Sequence, residues 1–201
     1  MTRVVLASGS PRRRVLLEAL GVALVVQTSH VDEVDDGAPP AELVEANAVR
    51  KRDAVAAQQT DAVVIAADTL VYLEDAVLSK PRDLDEARAM LRRLSGRTHR
   101  VVTGVAVCDT HGGQRAHGHE TTEVTFRRLS ETDIGVFVES VRPVDRAGAY
   151  TCEGPGSLLV AGFRGCYYNV LGLPLVRLDA LLAQTGHSLF EWVDAERAQF
   201  T

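Results

Sequence analysis

Two short segments of this 201-residue chain carry residue types suited to binding and cleaving an anion. In the first, "LASGSPRRR" (residues 6–14), hydroxyls and a glycine precede a helix start that carries three consecutive arginines. Where a helix begins, backbone N–H groups lack partners and the aligned dipoles make that end partly positive, so it attracts anions. Cations placed there cost about 0.3–1 kcal/mol each unless something negative offsets them. A bound polyphosphate would, and guanidinium forks match phosphate oxygens. Taken alone, the segment reads first as a solvated, charged first turn, with Arg14 facing water.

In the second segment, "AVVIAADT" (62–69) is the strongest buried-strand signal in the chain, and it ends in Asp68. A carboxylate at the end of a buried strand lies where α/β proteins place ligands. It could bind Mg²⁺ or take a proton from an attacking water, although taken alone it reads first as a turn or cap residue. Glu33, in the acidic loop "SHVDEVDDGAPP", is a candidate second metal ligand, although taken alone it reads first as a solvated loop charge. Lys51 and Lys80 are ordinary surface lysines by default, and Pro81 stiffens the loop that presents Lys80. His117 and His119 share one face of a strand and could hold a metal. With no third ligand close in sequence, a wet hairpin face is the simpler reading.

These residues need elements to hold them. Val4 to Ala7 reads as a buried strand, and Ser10 can cap the following helix, with Pro11 at its first position and Gly21 past its end. Leu24 to Val26 is a second strand, giving an α/β opening. Helices are expected over 41–59, 84–94 (Asp83 and Glu86 at capping-box spacing, Gly96 after it), 131–140 (capped by Ser130) and about 175–185. Long strand-like runs at 98–109 and 120–128 flank a turn-rich "THGGQ", which suggests a hairpin. The stretch 148–172 is rich in glycine, and 187–201 reads as a tail of uncertain structure.

Composition limits the rest. With 46% hydrophobic residues the chain suits one domain, 1–201, with a real core, in one lobe or two. A net charge of −5 and 5% aromatics speak against a nucleic-acid partner. Cys108, Cys152 and Cys166 are odd in number and lack CxxC spacing, which fits reduced thiols. No signal-peptide h-region and no bilayer-length apolar run is present, so a soluble, cytoplasmic protein away from membranes is expected. The P-loop, GxSxG, HExxH and GxGxxG motifs are missing.

Taken in order, "LASGSPRR", "AADTLV", "SKPRDLDEARAMLRRLSGRTHRVVTGVAV" and "RAGAY…VLGLPL" resemble the Maf family of nucleoside triphosphate pyrophosphatases over residues 3 to 184. The resemblance implies a mixed α/β fold, with an elongated curved sheet flanked by helices, two lobes with a cleft between them, and a homodimer. It implies a hydrolase that cuts a nucleoside triphosphate between the α- and β-phosphates, releasing monophosphate and pyrophosphate with a divalent metal, Mg or Mn. Asp68 would be the proton acceptor for the attacking water, Glu33 and Asp68 metal ligands, and Ser8, Arg12, Arg13, Lys51 and Lys80 phosphate contacts. Arg12 and Thr69 match members acting on dTTP and UTP. Glu153 stands where those members carry Gln, and such a Glu is more familiar in members acting on 7-methyl-GTP. Arg146 stands where Lys is usual. A non-catalytic regulator of septum formation is the alternative of another class; it would not need the full set of acid and cations.

Overall fold

The parallel opening expected from the strand–helix–strand alternation is present. A computed structural model describes residues 2–74 and 76–198. In it β1 (Arg3–Leu6) lies between β2 (Leu24–Val26) and the first residues of β3 (Ala62–Leu73), all parallel. The remaining strands are antiparallel: β4 (Ala76–Val77) on the end of β3, β5 (Thr98–Asp109) along β3, β6 (Arg115–Phe126) on β5, and β7 (Val160–Arg164) on β6. The sheet order is β2-β1-β3-β5-β6-β7, with β4 also on β3. Helices α1 (Pro11–Ala19), α2 (Pro40–Ala56), α3 (Leu84–Leu94), α4 (Glu131–Val141), the short α5 (Tyr167–Val170) and α6 (Leu175–Ala183) flank it.

β3 organises the molecule. Its odd-numbered residues Val63, Ile65 and Ala67 join the core under α1 and α6, whereas Val71 and Leu73 join a second core with α3 and α4. On the opposite face, Val64 and Ala66 belong to one cluster and Leu70 and Tyr72 to another. Strand alternation puts Asp68 on one face and Thr69 on the other, at the passage between these cores. The two lobes meet here.

That placement corrects the expectation that the strand stops at Asp68. Pairing with β1 ends at Leu6–Ile65, but β5 pairs with β3 from Val63 to Tyr72, so the strand runs on. The polar Asp-Thr pair interrupts the apolar run without ending it, and Asp68 is 3% exposed rather than solvent-facing. Its register partner is Gly104. A Cβ at position 104 would come within 2.2 Å of the Val44 carbonyl oxygen, so this glycine lets α2 lie against the sheet beside Asp68.

Local signals fared unevenly. Asp83 caps α3 by accepting from Glu86 N at 2.8 Å, and Ser130 with Asp133 forms a reciprocal capping box on α4. Ser10 makes no side-chain cap; its own N–H donates to Ser8 Oγ at 3.2 Å, which draws the loop inward instead. The hairpin strand β6 begins at Arg115, five residues earlier than expected, because pairing with β5 continues almost to the turn. The glycine-rich stretch contains β7 and α5. In the tail, Trp192 is buried against the α1/α6 core; residues 199–201 lie outside the described residues.

Candidate active site

Asp68 is held at both oxygens. Lys51 Nζ donates to Oδ1 at 2.7 Å, and Asn47 Nδ2 donates to Oδ2 at 2.7 Å. Both donors come from α2, four residues apart on its buried face, where i and i+4 side chains align. Lys51 also donates to Glu33 Oε1 at 2.5 Å, so one ammonium sits between the two carboxylates. Asn47 clamps the Glu33 loop through the next residue, donating to Val34 O at 2.8 Å and accepting from Val34 N at 3.1 Å. Lys51 and Asp68 are buried, while the Glu33 side chain is half exposed at the cleft.

The α1 arginines part company. Arg13 is buried and its nitrogens are committed to the protein. Nε donates to Gly172 O at 2.8 Å, Nη1 to Ser8 Oγ at 3.0 Å and Ala67 O at 2.9 Å, and Nη2 to Thr69 Oγ1 at 2.9 Å. The network continues from Thr69 Oγ1 to Thr103 Oγ1 at 2.9 Å, and Thr103 donates to Asn169 O at 3.1 Å. Gly172 has φ +97°, a conformation that side chains bearing a Cβ rarely adopt, so glycine lets its carbonyl turn to the guanidinium. Burial lowers the Arg13 pKa, and the nearby charges of Asp68 and Glu33 counter it. Arg12 points towards the cleft. Its pKa is lowered by burial and then by the positive charge of Arg146.

These side chains line one cleft of about 470 Å³, within the range of small-molecule sites. Ser8, Arg12, Arg13, Glu33, Lys51, Asp68, Thr69 and Lys80 all border it. The Lys80 loop is tied to the acidic loop by Ser79 Oγ donating to Asp35 Oδ2 at 2.5 Å. Val71, Val101, Val170 and Leu171 give the cleft an apolar wall, and Tyr150 is fixed below by a 2.8 Å hydrogen bond with His99 Nε2. Burial pushes the His99 pKa down to about 4. Glu153 is the residue the fold does not bring in. It is exposed and outside the lining, near enough for its charge to raise the Arg12 pKa.

Among the described residues no group of three His, Cys, Asp or Glu is placed to hold a metal. Glu33 and Asp68 supply two carboxylates. His117 and His119 face Glu45, at 3.5 and 2.6 Å, on an exposed stretch of β6 away from the cleft. Asn47 is the residue sequence reasoning missed. Its signal was the stripe Leu43, Asn47, Lys51, Val55 along the buried face of α2. The same rule marks Arg13, one turn before buried Leu17, as the inward arginine of α1.

A family profile described as "Maf-like protein" matches residues 3–185. A protein of Moorella thermoacetica, named "dTTP/UTP pyrophosphatase", is 51% identical over 187 residues, covering 92% of this chain and 96% of that one. Proteins of the same name from Symbiobacterium thermophilum and Bacillus cereus (strain G9842) are 46% and 42% identical. They cover 94% and 92% of this chain and 97% and 96% of their own lengths. Among solved structures, the Staphylococcus aureus Ham1 protein aligns at a TM-score of 0.45 with 16% identity, covering 62% of this chain and 71% of that one.

Proposed function

The chain belongs to the Maf family, and from that premise we propose that its cleft hydrolyses dTTP and UTP between the α- and β-phosphates, releasing the monophosphate and pyrophosphate. The observation that carries the reading is Asp68, a buried carboxylate held at both oxygens and bordering a cleft rich in cations. A group so restrained can aim one water at the α-phosphorus and take its proton as the new P–O bond forms. The α–β bridging oxygen leaves with its electron pair on pyrophosphate. Lys51, Lys80 and Arg12 neutralise the charge that grows there, with the free N–H groups at the start of α1. Arg13 acts indirectly, by fixing Ser8 and Thr69 at the wall of the cleft.

The two carboxylates fit a divalent cation. Mg²⁺ is held by one or two carboxylates together with substrate phosphates, and Glu33 and Asp68 would be those ligands. Bound there, Mg or Mn would polarise phosphoryl oxygens and offset their charge. The Lys51 ammonium donates to both carboxylates and holds them side by side.

Thr69 would face the base, its hydroxyl oriented by Arg13 and Thr103. Glu153 stands outside the lining and would act on the site through its charge on Arg12. The favoured substrates are dTTP and UTP, the nucleotides named for the relatives. The remaining parts of the reading are a cytoplasmic location, where such nucleotides are made and used, and a homodimer. A half-exposed aromatic group, Phe163, Tyr167 and Tyr168, beside edge strand β7 supports the dimer. Light scattering of a monomer at micromolar concentration would count against it. For the reaction, the test is release of pyrophosphate from dTTP with Mg²⁺. Asp68→Asn should lose turnover while keeping the fold; wild-type-like release by that variant would remove Asp68 from its role.

A further inference from the structure

Arg146 borders the cleft from the turn that follows α4, and its guanidinium is poorly matched by the protein around it. Nε and Nη1 are buried, yet neither has a hydrogen-bond partner among the described residues. The nearest carboxylate oxygen, Asp145 Oδ1, is 3.6 Å from Nε, and that aspartate is mostly exposed. Arg12 lies close enough for the two positive charges to oppose each other. The backbone leaves Arg146 little room to move away, because Ala149 N donates to Arg146 O at 3.0 Å and Gly148 N to Leu78 O at 2.8 Å. The second of these bonds joins the turn to the loop that ends in Lys80. Buried donors without acceptors burden a fold, and native proteins rarely keep them without a use. The other buried cations of the site differ: Arg13 donates to four protein oxygens and Lys51 to two carboxylates.

We infer that Arg146 is a substrate-binding residue, donating from Nε and Nη1 to an acceptor oxygen of the bound nucleotide. The inference rests on the pyrophosphatase reading for the identity of that ligand. A phosphoryl oxygen and a base carbonyl share the required chemistry, and neither donates, so a guanidinium can serve either.

The experiment compares Arg146 with Arg146→Met, which keeps the unbranched stem of the side chain and removes its donors. Affinity for dTTP is measured by calorimetry in an Asp68→Asn background, and pyrophosphate and dTMP are titrated separately. The expected result is about 10- to 100-fold weaker dTTP binding, with the ligand-free melting temperature unchanged or raised, since the variant removes unsatisfied donors. Arg146→Lys should recover only part of the affinity. A loss carried by pyrophosphate assigns the contact to the leaving phosphates, and one carried by dTMP assigns it to the monophosphate part. Unchanged dTTP affinity overturns the inference, and a lower ligand-free melting temperature alongside it would give Arg146 to the fold. If the wild-type protein releases no pyrophosphate from dTTP, the reaction assignment fails instead, whatever Arg146→Met does to pyrophosphate binding.

Discussion

At the residue scale, the arginine pair that opens α1 serves two purposes. Arg12 borders the cleft, where a bound phosphate chain would offset its charge. Arg13 ties Ser8, Ala67, Thr69 and Gly172 together from inside the core. Arg12→Ala should therefore cost activity by about 10- to 100-fold, the value of one charge-assisted contact, and leave the melting temperature nearly unchanged. Arg13→Ala should lower stability by about 3–5 kcal/mol, because it strands buried acceptors and opens a cavity. In a chain of this size that is a fall of about 10 °C or more in Tm. Thermal melts and kinetics on the two variants check this, and equal Tm losses would contradict it. The sequence showed that arginines stand at a helix start; the phase of the helix, with Arg13 one turn before Leu17, tells which of them turns inward.

At the scale of elements, the site depends on how long strands run and which helix faces them. The continuous apolar run made β3 legible, but not its length. A strand whose neighbour stops pairing halfway shows no break in its own residues beyond the polar Asp68-Thr69 step. The helical period of α2 was legible too, whereas its seat beside Asp68 depends on Gly104, far along the chain in β5. Glu33 and Lys80 sit on loops, whose approach to Asp68 is set by long-range ties such as Asn47–Val34 and Ser79–Asp35, so local pattern could not show it. β5 also carries His99, packed edge-on against Phe126 and Tyr150 at centroid distances of 5.0 and 5.3 Å. With its pKa lowered by burial to about 4, the folded protein binds this proton only in strong acid, whereas the unfolded chain binds it near the ordinary histidine value. The unfolded state then holds more protons, so stability is full above about pH 6.5 and falls as pH drops towards 4, by up to about 3 kcal/mol. Denaturant unfolding at pH 7.5 and 4.5 measures this. His99→Phe should flatten the acid limb, and an identical acid loss in wild type and variant would contradict the account.

At the scale of the whole molecule, two cores share one long strand, and the cleft opens where β3 passes from one to the other. Cations and an apolar wall sit on either side of a single restrained carboxylate. The account's central claim is that this carboxylate directs water at the α-phosphorus. Hydrolysis of dTTP in ¹⁸O-labelled water, followed by mass spectrometry of both products, tests it most directly. The account predicts one ¹⁸O in dTMP, none in pyrophosphate, and loss of both products in Asp68→Asn. Label in pyrophosphate would place the attack at the β-phosphorus, and release of inorganic phosphate with dTDP would place it at the γ-phosphorus; either result contradicts the account.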